Sequence, residues 1–326
     1  MLSIVIPIYK SEENLPRLLR ELEAYGRTFA GELEVVFVVD GSPDRSLATL
    51  KEALPRFSLT TQLVELSRNF GAFSAIGAGL RYGRGEVLGV LAADLQEPLE
   101  LMTEFHRVLT SGQADVAFGY RASRADPWLS QVASEWFWRL YRRFVLPGIP
   151  KGGIDVFACT RQVRDELVKL PEVQTNLIAL LFWLGFRRAF VPYQRRERRE
   201  GRSAWTFRKK MRYAVDSIFN FTDLPLKALL GIGATACILA IVAAVVVLVA
   251  WLQGKIPVLG YTPLMLVIAF FGGVFAFSLG VVGQYIWLSL QNARRRPGFV
   301  VRSEQAFRGS EQTSAEERAG SPGGNT

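Results

Sequence analysis

Two long uncharged apolar runs constrain this chain more than any other feature. Ala228–Leu252 is 25 residues without a charge, and Leu264–Leu290 is 27. A helix rises 1.5 Å per residue, so each run exceeds the ~30 Å hydrocarbon core of a bilayer. Helices in the core of a soluble domain are seldom so long and so purely apolar. Arg208, Lys209, Lys210 and Arg212 precede the pair, and Arg294, Arg295 and Arg296 follow it. The link Gln253–Tyr261 holds one charge, Lys255. The positive-inside rule then predicts a transmembrane hairpin with both flanks in the cytoplasm.

Upstream, short β-branched runs alternate with helical stretches. The runs are Leu2–Ile8, Leu33–Val39, Gln62–Leu66, Val87–Ala92 and Asp115–Phe118. Helices are predicted at Glu12–Tyr25, Ser46–Leu54, Gly71–Tyr82 and Pro98–Ser111; the first has Leu15, Leu18, Leu19 and Leu22 on one face. This alternation predicts an α/β domain with a doubly wound, mostly parallel sheet. With a strand pattern from Leu2, no signal peptide is expected and the domain is placed in the cytoplasm. Trp128–Leu146 is amphipathic, with Arg139, Arg142 and Arg143 opposite Trp136, Phe137, Leu140, Tyr141 and Phe144. It admits two readings, a helix in the membrane interface or ordinary packing on the sheet. After about Ser303 the Ser/Gly/Glu/Arg-rich tail is predicted to be disordered.

Charge narrows the function classes. The chain of 326 residues has a formal net charge of +9, which by itself admits nucleic acid as a partner. Between Arg187 and Arg212, however, eleven basic residues face two acidic ones, a local excess of +9. Residues 1–186 hold 20 basic and 22 acidic groups, and residues 213–326 hold 8 and 6. All the excess adjoins the first apolar run, which favours lipid headgroups and phosphate over nucleic acid. Two cysteines, in no CxxC pair, and one histidine exclude a disulfide scaffold and Cys- or His-rich metal sites. Chemistry must rest on carboxylates, Arg and Lys.

In an open parallel sheet, ligands bind at the carboxyl ends of the strands. Those ends carry Pro7-Ile8-Tyr9, then Asp40-Gly41-Ser42-Pro43-Asp44, then Ser67-Arg68-Asn69-Phe70-Gly71, then Asp94-Leu95-Gln96-Glu97. No P-loop and no GxGxxG after the first strand is present. Asp94 with the amide oxygen of Gln96 suits Mg²⁺ or Mn²⁺ held against a diphosphate, although a strand-end carboxylate can also simply cap the next helix.

The runs Ser3–Tyr9 (SIVIPIY), Val39–Asp44 (VDGSPD), Leu66–Gly71 (LSRNFG) and Ala93–Pro98 (ADLQEP) resemble the signatures of family 2 glycosyltransferases with a GT-A fold. The resemblance continues through Gly119–Arg121, Gly152–Asp155 and Arg199–Trp205 to Gly283–Tyr285 and Arg296-Pro297. It covers roughly residues 2–302. The combination is similar to polyprenyl-phosphate glycosyltransferases such as dolichol-phosphate mannose synthase and the bactoprenol glucosyltransferases. It implies a cytoplasmic catalytic domain at 1–190, a basic juxtamembrane segment at 191–225, two transmembrane helices within 226–291, and a basic flank and tail at 292–326. It also implies inverting transfer of a sugar from a nucleotide diphosphate to a polyprenyl phosphate, in the inner membrane, with both termini cytoplasmic. By the same resemblance Pro7, Tyr9, Asp40, Arg68, Asn69 and Asp94 bind the nucleotide sugar, and Asp94 and Gln96 bind Mg²⁺ or Mn²⁺. Arg121, Asp155, Arg199, Arg202 and Ser203 act on the phosphates and the acceptor, with a turn carboxylate as the plainer reading of Asp155. The oligomeric state stays open, with a homo-oligomer through the membrane helices one form the resemblance allows.

Two departures bear on function. Ala92 stands where the family usually has a carboxylate two residues before Asp94, which raises the alternative of a catalytically impaired sugar-nucleotide-binding or assembly subunit. Val39, Lys10 and Ser11 depart at the end that meets the nucleobase. A processive polysaccharide synthase ranks last, because two spans are few for a polymer channel and no QxxRW is present.

Overall fold

The computed structural model describes residues 1–121, 148–150, 154, 156–170, 177–196, 224–253, 261–294 and 296–309. The chain divides into two compact units, Met1–Thr206 with Pro297–Thr326, and Phe207–Arg296.

In the first unit, β1 (Leu2–Ile8), β2 (Leu33–Val39), β3 (Thr60–Leu66) and β4 (Val87–Val90) pair in parallel in the order β4-β1-β2-β3. They are buried on both faces, as the largely apolar runs of β1 and β2 require. The alternating side chains sort the faces. Ile4, Ile6, Ile8, Val35 and Phe37 join a core with Leu15, Leu18 and Leu22 of α1 (Leu15–Thr28) and Met102 and Phe105 of α4 (Glu100–Thr110). Val5 and Val38 point to the other face, against α3 (Ala72–Tyr82), which packs so closely that a Cβ on Gly79 would meet both. Between these, α2 (Ser46–Ala53) follows β2 and runs into a 3-10 turn at Leu54–Arg56.

The sheet is wider and more mixed than the sequence pattern predicts. Among the described residues its eight strands run β7-β5-β6-β4-β1-β2-β3-β8. Here β5 is Val116–Arg121, β6 Val156–Thr160, β7 Arg188–Tyr193 and β8 Val301–Phe307. Strand β6 runs antiparallel between β4 and β5, and β7 adds parallel to β5. Helices α5 (Arg161–Lys169) and α6 (Leu177–Trp183) lie between β6 and β7 in sequence. The start of the tail expected to be disordered, from about Ser303 to Phe307, instead belongs to β8, which runs antiparallel to β3. Ser303 Oγ donates to Glu65 Oε2 at 2.8 Å, and Arg302 pairs with Glu65 at 3.4 Å. These polar anchors supply what the strand lacks in apolar side chains. The predicted amphipathic segment at Trp128–Leu146 lies outside the described residues.

The second unit contains α7 (Leu224–Leu252) and α8 (Tyr261–Ala293), which contact each other. At 1.5 Å per residue they are about 44 and about 50 Å long. Both extend beyond the uncharged runs. Many of their described apolar side chains face outward, as with Ile238 at 62% and Phe275 at 66% exposure, while Val281 is buried. Among the described residues, one helical window, Phe270–Trp287, is long and apolar enough to cross a membrane.

Candidate active site

The carboxyl ends of β1 to β4 form one edge of the first unit, and their loops are tied to one another by backbone-directed hydrogen bonds. Asp40, immediately after β2, is 2% exposed. Its Oδ1 accepts from the Phe70 N–H at 2.7 Å and its Oδ2 from the Gly71 N–H at 2.9 Å. Its main-chain oxygen accepts from the Asn69 side chain at 3.3 Å. Burial pushes the Asp40 carboxyl above its ordinary pKa, opposed by those two N–H groups and by Arg68. Gly41 has φ 55°, and a Cβ there would strike the backbone of Arg68 and Asn69, so glycine is required for this approach.

A second tie joins the loops after β1 and β2. Asp44 accepts from Ser42 Oγ at 2.6 Å, the Glu12 N–H at 3.1 Å and the Ser46 N–H at 3.2 Å. Ser42 Oγ in turn accepts from the Lys10 N–H at 2.8 Å. Burial raises the Asp44 pKa, but these hydrogen bonds outweigh it and hold the carboxyl below its ordinary value. Lys10 is left-handed at φ 51°, and its ammonium lies 5.7 Å from the Tyr9 ring centroid.

On this frame, Tyr9 is 44% exposed at the rim and Pro7 is half-buried within β1. Arg68 and Asn69 are exposed, with the Arg68 guanidinium stacked 4.0 Å over the Phe70 ring. Asp94 is half-buried in the loop after β4, while Ala92 is exposed. Arg121 ends β5, opposite Tyr193 of β7. Since β5 runs parallel to β4, Arg121 reaches the same edge. Pro7, Tyr9, Asp40, Arg68, Asn69, Asp94, Gln96 and Arg121 thus share one edge. Asp155, Arg199, Arg202 and Ser203 lie outside the described residues.

Gln96 is buried and paired with the basic segment that follows β7. It is 7% exposed, and its Oε1 accepts from Arg195 Nη2. Its main-chain oxygen accepts from the Arg196 N–H at 2.9 Å. Arg195 Nε also lies 3.9 Å from Glu97 Oε1, and Arg196 pairs with Glu21 at 3.2 Å and Glu100 at 3.3 Å. Arg195 figures in the sequence only as one charge in a basic run; no spacing signal announces a contact with Gln96. Among the described residues, no group of three His, Cys, Asp or Glu is arranged to hold a metal. Asp94 remains as a carboxylate at the site. One carboxylate fits Mg²⁺ when substrate phosphates and waters complete the shell.

Residues 3–169 match the glycosyl transferase family 2 profile. The chain is 33% identical over 303 residues to an uncharacterized glycosyltransferase of Synechocystis, covering 92% of this chain and 94% of that protein. It is 29% identical to the putative glycosyltransferase CsbB of Bacillus subtilis, covering 93% and 91%. It is 28% identical to a bactoprenol glucosyl transferase of Shigella phage SfV, covering 93% and 99%. This chain belongs to glycosyl transferase family 2, and the strand-end edge of its GT-A type fold is the candidate active site. It is a glycosyltransferase, similar over nearly its whole length to proteins named bactoprenol glucosyl transferase.

Proposed function

We propose that the protein is a membrane-anchored, inverting glycosyltransferase that moves a sugar from a nucleotide diphosphate to a polyprenyl phosphate. One conjunction carries this reading. A strand-end site rich in polar and charged groups occurs in the same chain as a long helix with an outward apolar surface. The names of relatives matched across more than nine-tenths of this chain support the lipid acceptor. In this reading both long helices cross the inner membrane, and the catalytic unit and both termini are cytoplasmic.

Pro7, Tyr9, Asp40, Arg68 and Asn69 receive the nucleoside end of the donor. Asp94 holds Mg²⁺ or Mn²⁺, which when bound neutralises charge on the departing nucleoside diphosphate. Arg121, Arg199 and Arg202 add guanidinium charge at the phosphates, and Ser203 adds a hydroxyl. The acceptor phosphate is anionic at neutral pH, with a second pKa near ~6, and needs little help from a base. Asp155 orients it.

Purified full-length protein, incubated with undecaprenyl phosphate and a panel of sugar nucleotides with Mg²⁺ or Mn²⁺, should yield a lipid-linked sugar from one donor. Asp94→Ala should abolish it. Donor binding without turnover, repaired by Ala92→Asp, would instead mark a catalytically impaired subunit, the reading that Ala92 favours.

A further inference from the structure

We propose that Arg195 is a positioning residue of the donor site. It docks on Gln96 and so sets the loop that presents Asp94, making Gln96 a docking point rather than a cation ligand. This rests on the function proposed above.

The loop needs an external hold. Leu95 sits at φ 53°, left-handed for a residue with a branched Cγ and no glycine freedom. Such a residue persists only where its surroundings over-determine it. Two bonds within the loop are long: Leu95 N–H to the Ala92 oxygen and Gln96 N–H to Asp94 Oδ1 are both 3.3 Å. Further holds come from almost a hundred residues away. Arg195 reaches the Gln96 side chain, the Arg196 N–H reaches the Gln96 main-chain oxygen at 2.9 Å, and the Arg196 side chain is anchored on Glu21 and Glu100. Gln96 is therefore gripped at both its oxygens.

The same grip bears on ligation. An amide oxygen accepting from a guanidinium has a cation already beside it, and the other terminal atom of Gln96 is an NH₂ donor. Like charges side by side repel, so a divalent ion gains little there. Asp94, the carboxylate on the same loop, is the group proposed to meet the ion. Arg195 also heads the basic segment that runs toward the first long helix, so the segment proposed to meet the lipid phosphate is continuous with the clamp on the donor loop.

The test is a double-mutant cycle on the full-length protein. Mn²⁺ affinity is read by electron paramagnetic resonance with UDP, GDP or dTDP, whichever binds the wild type. Arg195→Ala and Gln96→Ala should each weaken Mn²⁺ binding about tenfold, the scale of one charge-assisted hydrogen bond. The double variant should lose no more than either single one, and Arg195→Lys should recover part of the loss. Hydrogen exchange of the ligand-free protein should show the 92–97 amides opening about tenfold faster in Arg195→Ala. Loss in Gln96→Ala with an unchanged Arg195→Ala, additive losses, or unchanged exchange would each overturn the proposal. Failure of the wild type to bind Mn²⁺ with any nucleoside diphosphate would overturn the function itself, while the exchange result would still decide whether Arg195 holds the loop.

Discussion

Asp40→Asn isolates what the buried carboxylate does for the candidate site. The side chain keeps its size, but one acceptor oxygen becomes an NH₂ donor. The wild-type carboxylate accepts from two adjacent N–H groups, Phe70 at 2.7 Å and Gly71 at 2.9 Å. In the variant one of these N–H groups must face another donor. Leaving a buried donor unsatisfied costs about 1–3 kcal/mol, and a value of about 2 kcal/mol corresponds to roughly thirtyfold in an opening equilibrium. The Arg68–Gly71 turn should therefore open about thirtyfold more often, while β1 and β2, whose pairings do not use this side chain, should hardly change. Hydrogen exchange read by mass spectrometry on peptides covering 67–75 and 2–8 measures both. Donor affinity should fall alongside, because Arg68 and Asn69 ride on the turn. Exchange at Phe70 and Gly71 within twofold of wild type would refute the claim that Asp40 ties the second and third strand-end loops together.

Three further outcomes follow from the same structure. Ending the chain at Phe299 removes β8, exposes the β3 edge and takes Ser303 and Arg302 from Glu65, so the protein should melt several degrees lower and aggregate in light scattering; an unchanged melting curve would count against β8 as a structural strand. Asp44 and Asp115 are both held below the ordinary carboxylate value of 3.8, the second chiefly by the Arg187 guanidinium. Their contribution is complete above that value and is lost as pH falls below it toward the lowered folded values, so thermal stability should drop more steeply below about pH 4 in the wild type than in Asp44→Asn/Asp115→Asn. Charge reversal at Arg199 and Arg202 should raise the KM for polyprenyl phosphate about tenfold while donor binding changes less, consistent with a role toward the lipid phosphate; equal effects on both would return this segment to a topology signal.

What could be read from the sequence tracks how much of each element's stability is its own. Strands β1 and β2 end where the apolar runs end, because both faces are buried and every side chain reports it. Strand β3 starts two residues early, at Thr60 and Thr61, which only the pairing with Glu34 and Val35 identifies as strand. Helix α1 starts at Leu15 rather than Glu12: Pro16 fits a first turn, and the Ser11 oxygen takes the Asn14 and Leu15 N–H groups in a preceding turn. Strands β6, β7 and β8 are not among the predicted runs: β6 is only five residues long, β7 is an edge strand interrupted by Pro192, and β8 is an edge strand whose middle, Arg302 to Gln305, is entirely polar. At the site, the strand-end polar residues were legible because topology alone puts them on one edge. The Arg195–Gln96 contact was not, since no local pattern records which of eleven basic residues folds back onto a loop ninety-nine positions earlier.

The most direct measurement compares acceptors. With the donor that the nucleotide-sugar panel identifies, the full-length protein is given undecaprenyl phosphate or undecaprenol at equal concentration in the same membrane mimic, and products are read by mass spectrometry for mass and by NMR for anomeric configuration. The account predicts a product from the phosphate alone, with the mass of one sugar added and the anomeric configuration inverted. Equal transfer to undecaprenol, or transfer only to a water-soluble acceptor, would contradict it.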